Sequence, residues 1–242
     1  MATTPDPGPP NEAPVDGSPP AGAALAWRTP EPIRLDYDVQ ASSRGRSWQA
    51  QGELLWRHVD GQYEARLEVR LFLLGTRSQV STGRIGSQGL EPERFADRGR
   101  QELATHFITA TSSVPARVVF SANTPEVLLV PGAQDRLSVL LQLAGWADAQ
   151  PQMLQPGLAL SMQTVGAREA QNWTFVVDGL QTIDLPGGRL SAWKLTRQPR
   201  REYDQRVEVW LAPQLQHLPA RVLITQTTGD YVDQRWRGSS KP

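Results

Sequence analysis

Between residues 33 and 40 apolar and polar side chains alternate without a break: Ile33, Leu35, Tyr37 and Val39 against Arg34, Asp36, Asp38 and Gln40. A period of two is that of a strand with one face in a core and the other in solvent. Trp48, Ala50, Gly52, Leu54 and Trp56 continue the pattern, and the Asp-Gly pair in "VDGQ" (59–62) supplies a hairpin turn. In the return strand Ala65, Leu67, Val69, Leu71 and Leu73 point one way, while Glu64, Arg66, Glu68 and Arg70 point the other. Further strands are predicted near 77–86, 101–110, 116–121, 126–130, 157–165, 171–178, 189–197, 203–211, 219–227 and 230–237, with Gly, Pro and Asp-Gly punctuation between many of them. About a dozen strands result. Helical patterns do not alternate with them, so the expected class is mainly β, antiparallel rather than βαβ, and no repeat of fixed period is present.

One stretch breaks the pattern. "PGAQDRLSVLLQLAGW" (131–146) has helical spacing, with Asp135 placed to cap the start and Pro151 barring continuation beyond about residue 149. Leu137, Leu140, Leu141 and Ala144 form one apolar stripe; Val139, Leu143 and Trp146 form a second, leaving only Ser138, Gln142 and Gly145 between them. Exposing seven such side chains would cost about 1.5–3 kcal/mol for each large one. The sequence therefore predicts a strongly curved half-barrel wrapped round the 134–147 helix, the helix standing in for the strands that would have closed the barrel. Whether a cavity remains between helix and sheet is open at this level.

Nine of the 20 prolines fall in the first 32 residues among Gly, Ala, Ser and acidic residues, a composition that cannot bury enough surface to order itself. The expectation is a disordered arm over 1–30, acting as a tether or a plain tail, then a single β half-barrel domain over 31–238. Twenty-five basic residues balance 25 acidic ones, so no overall charge draws the chain to nucleic acid or anionic lipid. There is no cysteine, which excludes disulfides, thiolate metal sites and thiol nucleophiles. No apolar run is long enough for a membrane-spanning helix, and "MATTPDPGPPNEAPVDGSPPAGAA" has neither the charged nor the apolar region of a signal peptide.

Candidate chemistry is sparse. His58, His106 and His217 have no partner at metal-ligand spacing, and His58 and His217 are expected as solvated residues near strand ends or turns. A GxSxG nucleophile turn is absent. "SSRGRS" and "STGRIGS" lack the Lys-Ser/Thr ending of a phosphate loop, and Asp36 with Asp38 lies on a solvent face. "RQPRRE" (197–202) reads as a solvated hairpin tip, with phosphate or headgroup binding as the second reading. A transmembrane β-barrel is disfavoured by charged polar faces on short strands and by the apolar helix.

"GLEPERF" (89–95), "PGAQDRLSVLLQLA" (131–144), "EVWLAPQLQHLPARVLI" (208–224) and the Gly-acidic turn near 229 resemble a family of exported bacterial proteins known as domain of unknown function 3108. The resemblance implies export, and a fold similar to the lipoprotein-carrier half-barrels, where a curved antiparallel sheet holds an apolar groove under a helical lid. It implies no catalytic residue. An exported member is expected to begin with a signal or anchor, which this chain as it stands does not show.

Together these features point to a non-enzymatic periplasmic protein, without cofactor or metal, that binds an acyl chain or other apolar ligand. Leu137, Leu141, Ala144 and Trp146 are the helix residues assigned to the groove, the other stripe remaining an alternative, with Trp56 and Trp173 as candidate aromatic lining. The alternative is a structural module of the cell envelope, packed solid, whose sheet edge recruits a partner strand.

Overall fold

The computed structural model describes residues 26–71 and 75–242. Most of the arm assigned to 1–30, and Leu73 of the third strand, lie outside the described residues. One sheet of 15 strands holds the chain together: β1 (Ile33–Ser43), β2 (Arg46–Val59), β3 (Gln62–Leu71), β4 (Gly75–Gly86), β5 (Gly89–Arg98), β6 (Glu102–Ile108), β7 (Arg117–Phe120), β8 (Val127–Leu128), β9 (Gln134–Asp135), β10 (Ala159–Val165), β11 (Ala170–Leu185), β12 (Gly188–Arg197), β13 (Arg206–Leu211), β14 (Pro219–Thr225) and β15 (Tyr231–Ser240). Their spatial order is β8-β7-β6-β5-β4-β3-β2-β1-β15-β14-β13-β12-β11-β10-β9. Two meanders thus join through the β1–β15 pair. The sheet is curved and open, as the alternation indicates.

The alternation sets the faces. Leu35, Tyr37 and Val39 are buried, as are Leu54, opposite Leu35, and Trp56, opposite Ile33. Asp60 and Gly61 both take positive φ, 50° and 74°, the geometry an Asp-Gly hairpin turn requires. Tyr37 Oη donates to the Pro219 carbonyl at 2.8 Å and Trp56 Nε1 to the Pro30 carbonyl at 2.9 Å, so the two largest inner side chains of β1 and β2 keep their polar atoms satisfied.

Two features depart from the periodicity. The sequence pattern predicts no strand over 89–98, where β5 lies, because Pro92 interrupts its alternation; β5 pairs with β4 through a register shift at Thr82/Gly83. β9 pairs with β10 in parallel, the only parallel pair among the described strands, because the chain re-enters the sheet at its far edge after β8.

The one α-helix among the described residues, α1 (Ser138–Ala149), begins later than 134 because Gln134 and Asp135 belong to β9. It touches β5 of the first meander, and β9, at the far edge, with β13 and β14 of the second, and is enclosed rather than laid across an opening. Leu137, Val139, Leu141, Leu143 and Ala144 are at most 1% exposed. The remaining polar strip is buried as well. Ser138 bonds to Asp135, and Gln142 Oε1 accepts from the Leu90 amide at 2.8 Å while its Nε2 donates to the Gln88 carbonyl at 3.0 Å.

Residues 27–31, mostly within the arm expected from composition, form a strap over the helix. Trp27 lies on Gly145, where a Cβ would meet its Nε1 at 2.0 Å. The Arg28 amide donates to the Gly145 carbonyl at 3.1 Å, and Arg28 Nη1 to Asp148 Oδ2 at 3.1 Å. The Glu31 amide donates to Gln216 Oε1 at 2.7 Å. Composition misses the strap because only Trp27 carries its apolar surface.

Candidate functional site

The two edges of the sheet lie on either side of a seam. Gln163 of β10 donates through Nε2 to the Leu128 carbonyl at 2.9 Å and accepts through Oε1 from the Val130 amide at 3.0 Å, occupying groups that a further strand beside β8 would use. Gln134 Nε2 of β9 donates to the Leu90 carbonyl of β5 at 2.8 Å, and Thr105 Oγ1 of β6 donates to the Gly166 carbonyl at 3.0 Å. Side chains thus close the seam where ladder bonds do not.

Beside it a cleft of about 810 Å³ opens between the start of β5, the end of β6, residues 129–134 and the outer side of α1. Leu90, Phe107, Ala133 and Trp146 supply buried or half-buried apolar lining; Ile108, 37% exposed, and Val130, 49% exposed, stand at its lip. Arg84, Glu91 and Glu93 also line it, with Arg84 Nε 3.1 Å from Glu93 Oε1. Two buried polar atoms of lining residues, Trp146 Nε1 and Gln134 Oε1, have no hydrogen-bond partner.

Of the residues that the sequence assigns to a groove, Trp146 lines this cleft. Leu137, Leu141 and Ala144 point into the continuous core, as does Trp56 at 0% exposure and Trp173 at 4%. Periodicity identifies which helix residues are buried, but not which remain beside open space. Ile108 ends β6 and Val130 lies in the loop after β8, so the predicted strands over 101–110 and 126–130 do not mark them as lining a cleft.

A buried polar chain runs from the sheet to the helix start. Tyr63 Oη lies 3.0 Å from Ser81 Oγ, and Ser81 Oγ donates to Asp135 Oδ2 at 2.5 Å. Asp135 Oδ1 accepts from the amides of Leu137 and Ser138, each at 2.8 Å, so it caps the helix as expected, from two residues before the formal N-cap. Desolvation raises the Asp135 carboxyl to about 6, against the opposing pull of these donors. Burial likewise pushes Tyr63 well above the ordinary phenol value.

His217, expected to be solvated, is 6% exposed, with Nδ1 3.1 Å from Asp148 Oδ1. It sits in a turn, but one pressed against the end of α1. In "RQPRRE" residues 198–202 are exposed, as expected of a solvated hairpin tip, but Arg197, which ends β12, is internal. Arg197 is 1% exposed, gripped by Asp204 at 2.7 and 2.6 Å, and stacked 4.8 Å from the Trp173 ring. Desolvation acts to raise the Asp204 carboxyl, but Arg197 and the amides of Arg200 and Gln205 outweigh it and hold it low. Among the described residues, no group of three or more His, Cys, Asp or Glu side chains is arranged to hold a metal, and no helix is long and apolar enough to cross a membrane.

The model of a protein family of unknown function, DUF3108, matches residues 57–233, which is most of the strands, the helix and the cleft walls. The chain belongs to the DUF3108 family. A β-barrel-like protein of the DUF1849 family from Brucella abortus superposes with a TM-score of 0.55 at 13% identity, covering 90% of this chain and 98% of the other. That likeness extends the shared architecture beyond DUF3108, and shows the fold alone. Weaker superpositions reach MucB, with a TM-score of 0.36 at 13% identity over 90% of this chain and 57% of the other, and a DUF1329 protein from Desulfovibrio piger, at 0.28 and 9% over 88% and 86%. No curated protein matches the chain in sequence.

Proposed function

We propose that this DUF3108 protein is a non-enzymatic binding protein of the bacterial periplasm that holds the acyl chain of an amphipathic ligand in the cleft beside α1. The observation that carries the reading is the pairing of an open, largely apolar cleft of about 810 Å³ with exposed Ile108 and Val130 at its lip. That volume falls in the range of small-molecule sites. Each buried methylene would contribute about 0.8 kcal/mol before ordering costs, so a long acyl chain together with its polar contacts is needed for micromolar binding. Arg84, Glu91 and Glu93 place charge in the lining, and the partnerless Trp146 Nε1 and Gln134 Oε1 favour a ligand with a polar group over a bare hydrocarbon. Export rests on the family resemblance. The alternative, strand recruitment at the sheet edge, has less support, because Gln163 already occupies the Leu128 carbonyl and the Val130 amide.

Native mass spectrometry of freshly purified protein tests for a co-purified lipid, and titration with a fluorescent fatty-acyl probe gives an affinity. Ile108→Asp is expected to weaken probe binding about tenfold or more while leaving stability within about 0.5 kcal/mol, as for a surface substitution. A wild-type protein that binds no probe, or a variant that binds it equally well, would refute the reading.

A further inference from the structure

Toward the other end of β5, a second cleft of about 600 Å³ gathers four arginines from separate parts of the chain. Arg77 comes from β4, Arg100 from the β5–β6 turn, Arg136 from the β9–α1 junction and Arg168 from the β10–β11 turn. Two carboxylates line the same cleft, and both are fully engaged. Asp97 takes Arg77 in a two-pronged contact, Nε to Oδ1 at 3.2 Å and Nη2 to Oδ2 at 2.9 Å, and accepts from Gln79 Nε2 at 3.2 Å. Glu169 takes Arg136 on Oε1 and Gln171 Nε2 on Oε2 at 2.7 Å.

Arg100 and Arg168 are exposed and form no ion pair among the described residues. The lining therefore carries two positive charges in excess, in a chain whose formal charge is zero. Arg136 is further fixed by the Trp173 ring, 5.8 Å from its guanidinium carbon. Two arginines are thus held in place while two keep all their donors for a ligand. A guanidinium offers a planar fork of N–H donors that matches phosphate oxygens, and partial enclosure by protein strengthens the attraction over that in bulk water.

We infer that this cleft is an anion-binding site for a phosphate group, either free phosphate or the phosphomonoester headgroup of a lipid. Arg100 and Arg168 make the direct contacts, and Arg77 and Arg136 contribute the standing field. The inference is independent of the acyl cleft.

Calorimetric titration with inorganic phosphate, and sedimentation with phosphatidylcholine vesicles with or without phosphatidic acid, test it on the full chain. Arg100→Gln/Arg168→Gln and the control Arg57→Gln, at an exposed pair with Glu64 outside the cleft, would be compared after thermal melts show all to be folded. The expected result is salt-sensitive phosphate binding that the double variant weakens about tenfold or more and the control does not. Binding confined to phosphatidic acid vesicles, and lost in the double variant, supports the lipid headgroup as the source. Absence of binding to both probes, or binding unchanged in the double variant, overturns the inference.

Discussion

Asp135 shows how one residue serves fold and solvent conditions together. Its carboxylate caps α1 and ties the helix start to Ser81 and, through it, to Tyr63, yet it does so with no exposure to water. Desolvation lifts its pKa from 3.8 to about 6. Since the folded value lies above the unfolded one, the fold binds more protons than the open chain between these values. The advantage of the neutral form is complete below the unfolded pKa and is lost as pH rises through the folded one, a swing of about 3 kcal/mol. Asp135→Asn retains an acceptor for the helix amides and cannot ionise. Chemical denaturation at pH 4 and pH 8 should therefore show the variant gaining on the wild type by about 2–3 kcal/mol at the higher pH. An equal difference at both pH values would show that Asp135 does not titrate in this way.

At the scale of the element, α1 was legible as a helix because its residues follow a 3.6-residue repeat, and legible as buried because they are apolar on two stripes. What hides its third side was not legible. Gly145 looks like a weak point in a helix, where Ala would ordinarily gain about 1 kcal/mol, but its missing side chain is the seat of Trp27. Gly145→Ala should therefore destabilise the protein by about 1–3 kcal/mol through overpacking and shift tryptophan emission to the red as Trp27 is expelled. In a Trp27→Ala background the same change should be neutral or stabilising. A Gly145→Ala effect of the same sign and size in both backgrounds would mean that the strap does not bear on the helix. β5 fails in the opposite sense: Pro92 spoils its alternation, and Gly83 of β4 lets the chains pass, since a Cβ there would lie 2.2 Å from the Glu91 carbonyl oxygen. Such a close approach belongs to the pair of strands, so neither strand read alone displays it.

For the whole molecule, the open sheet and its enclosed helix follow from alternation in most strands and one misfit segment, and the strand order adds what local sequence does not contain. The first and last strands meet as β1–β15, while the edges β8 and β9 arise mid-chain on either side of a short connection. That arrangement puts the seam, the outer side of α1 and the acyl cleft together, and it explains why Trp146 alone of the residues assigned to a groove reaches the cleft. Leu141→Trp, which adds volume to a residue with 0% exposure, is accordingly expected to lower stability by about 1–3 kcal/mol without enlarging or blocking the cleft; a thermal melt combined with acyl-probe titration checks both halves. The most direct test of the acyl-binding account is photo-crosslinking with a diazirine-bearing fatty-acyl probe followed by peptide mapping. The account predicts labels on residues 107–110, 129–133 and Trp146, whereas labelling confined to other surfaces, or none at saturating probe, would contradict it.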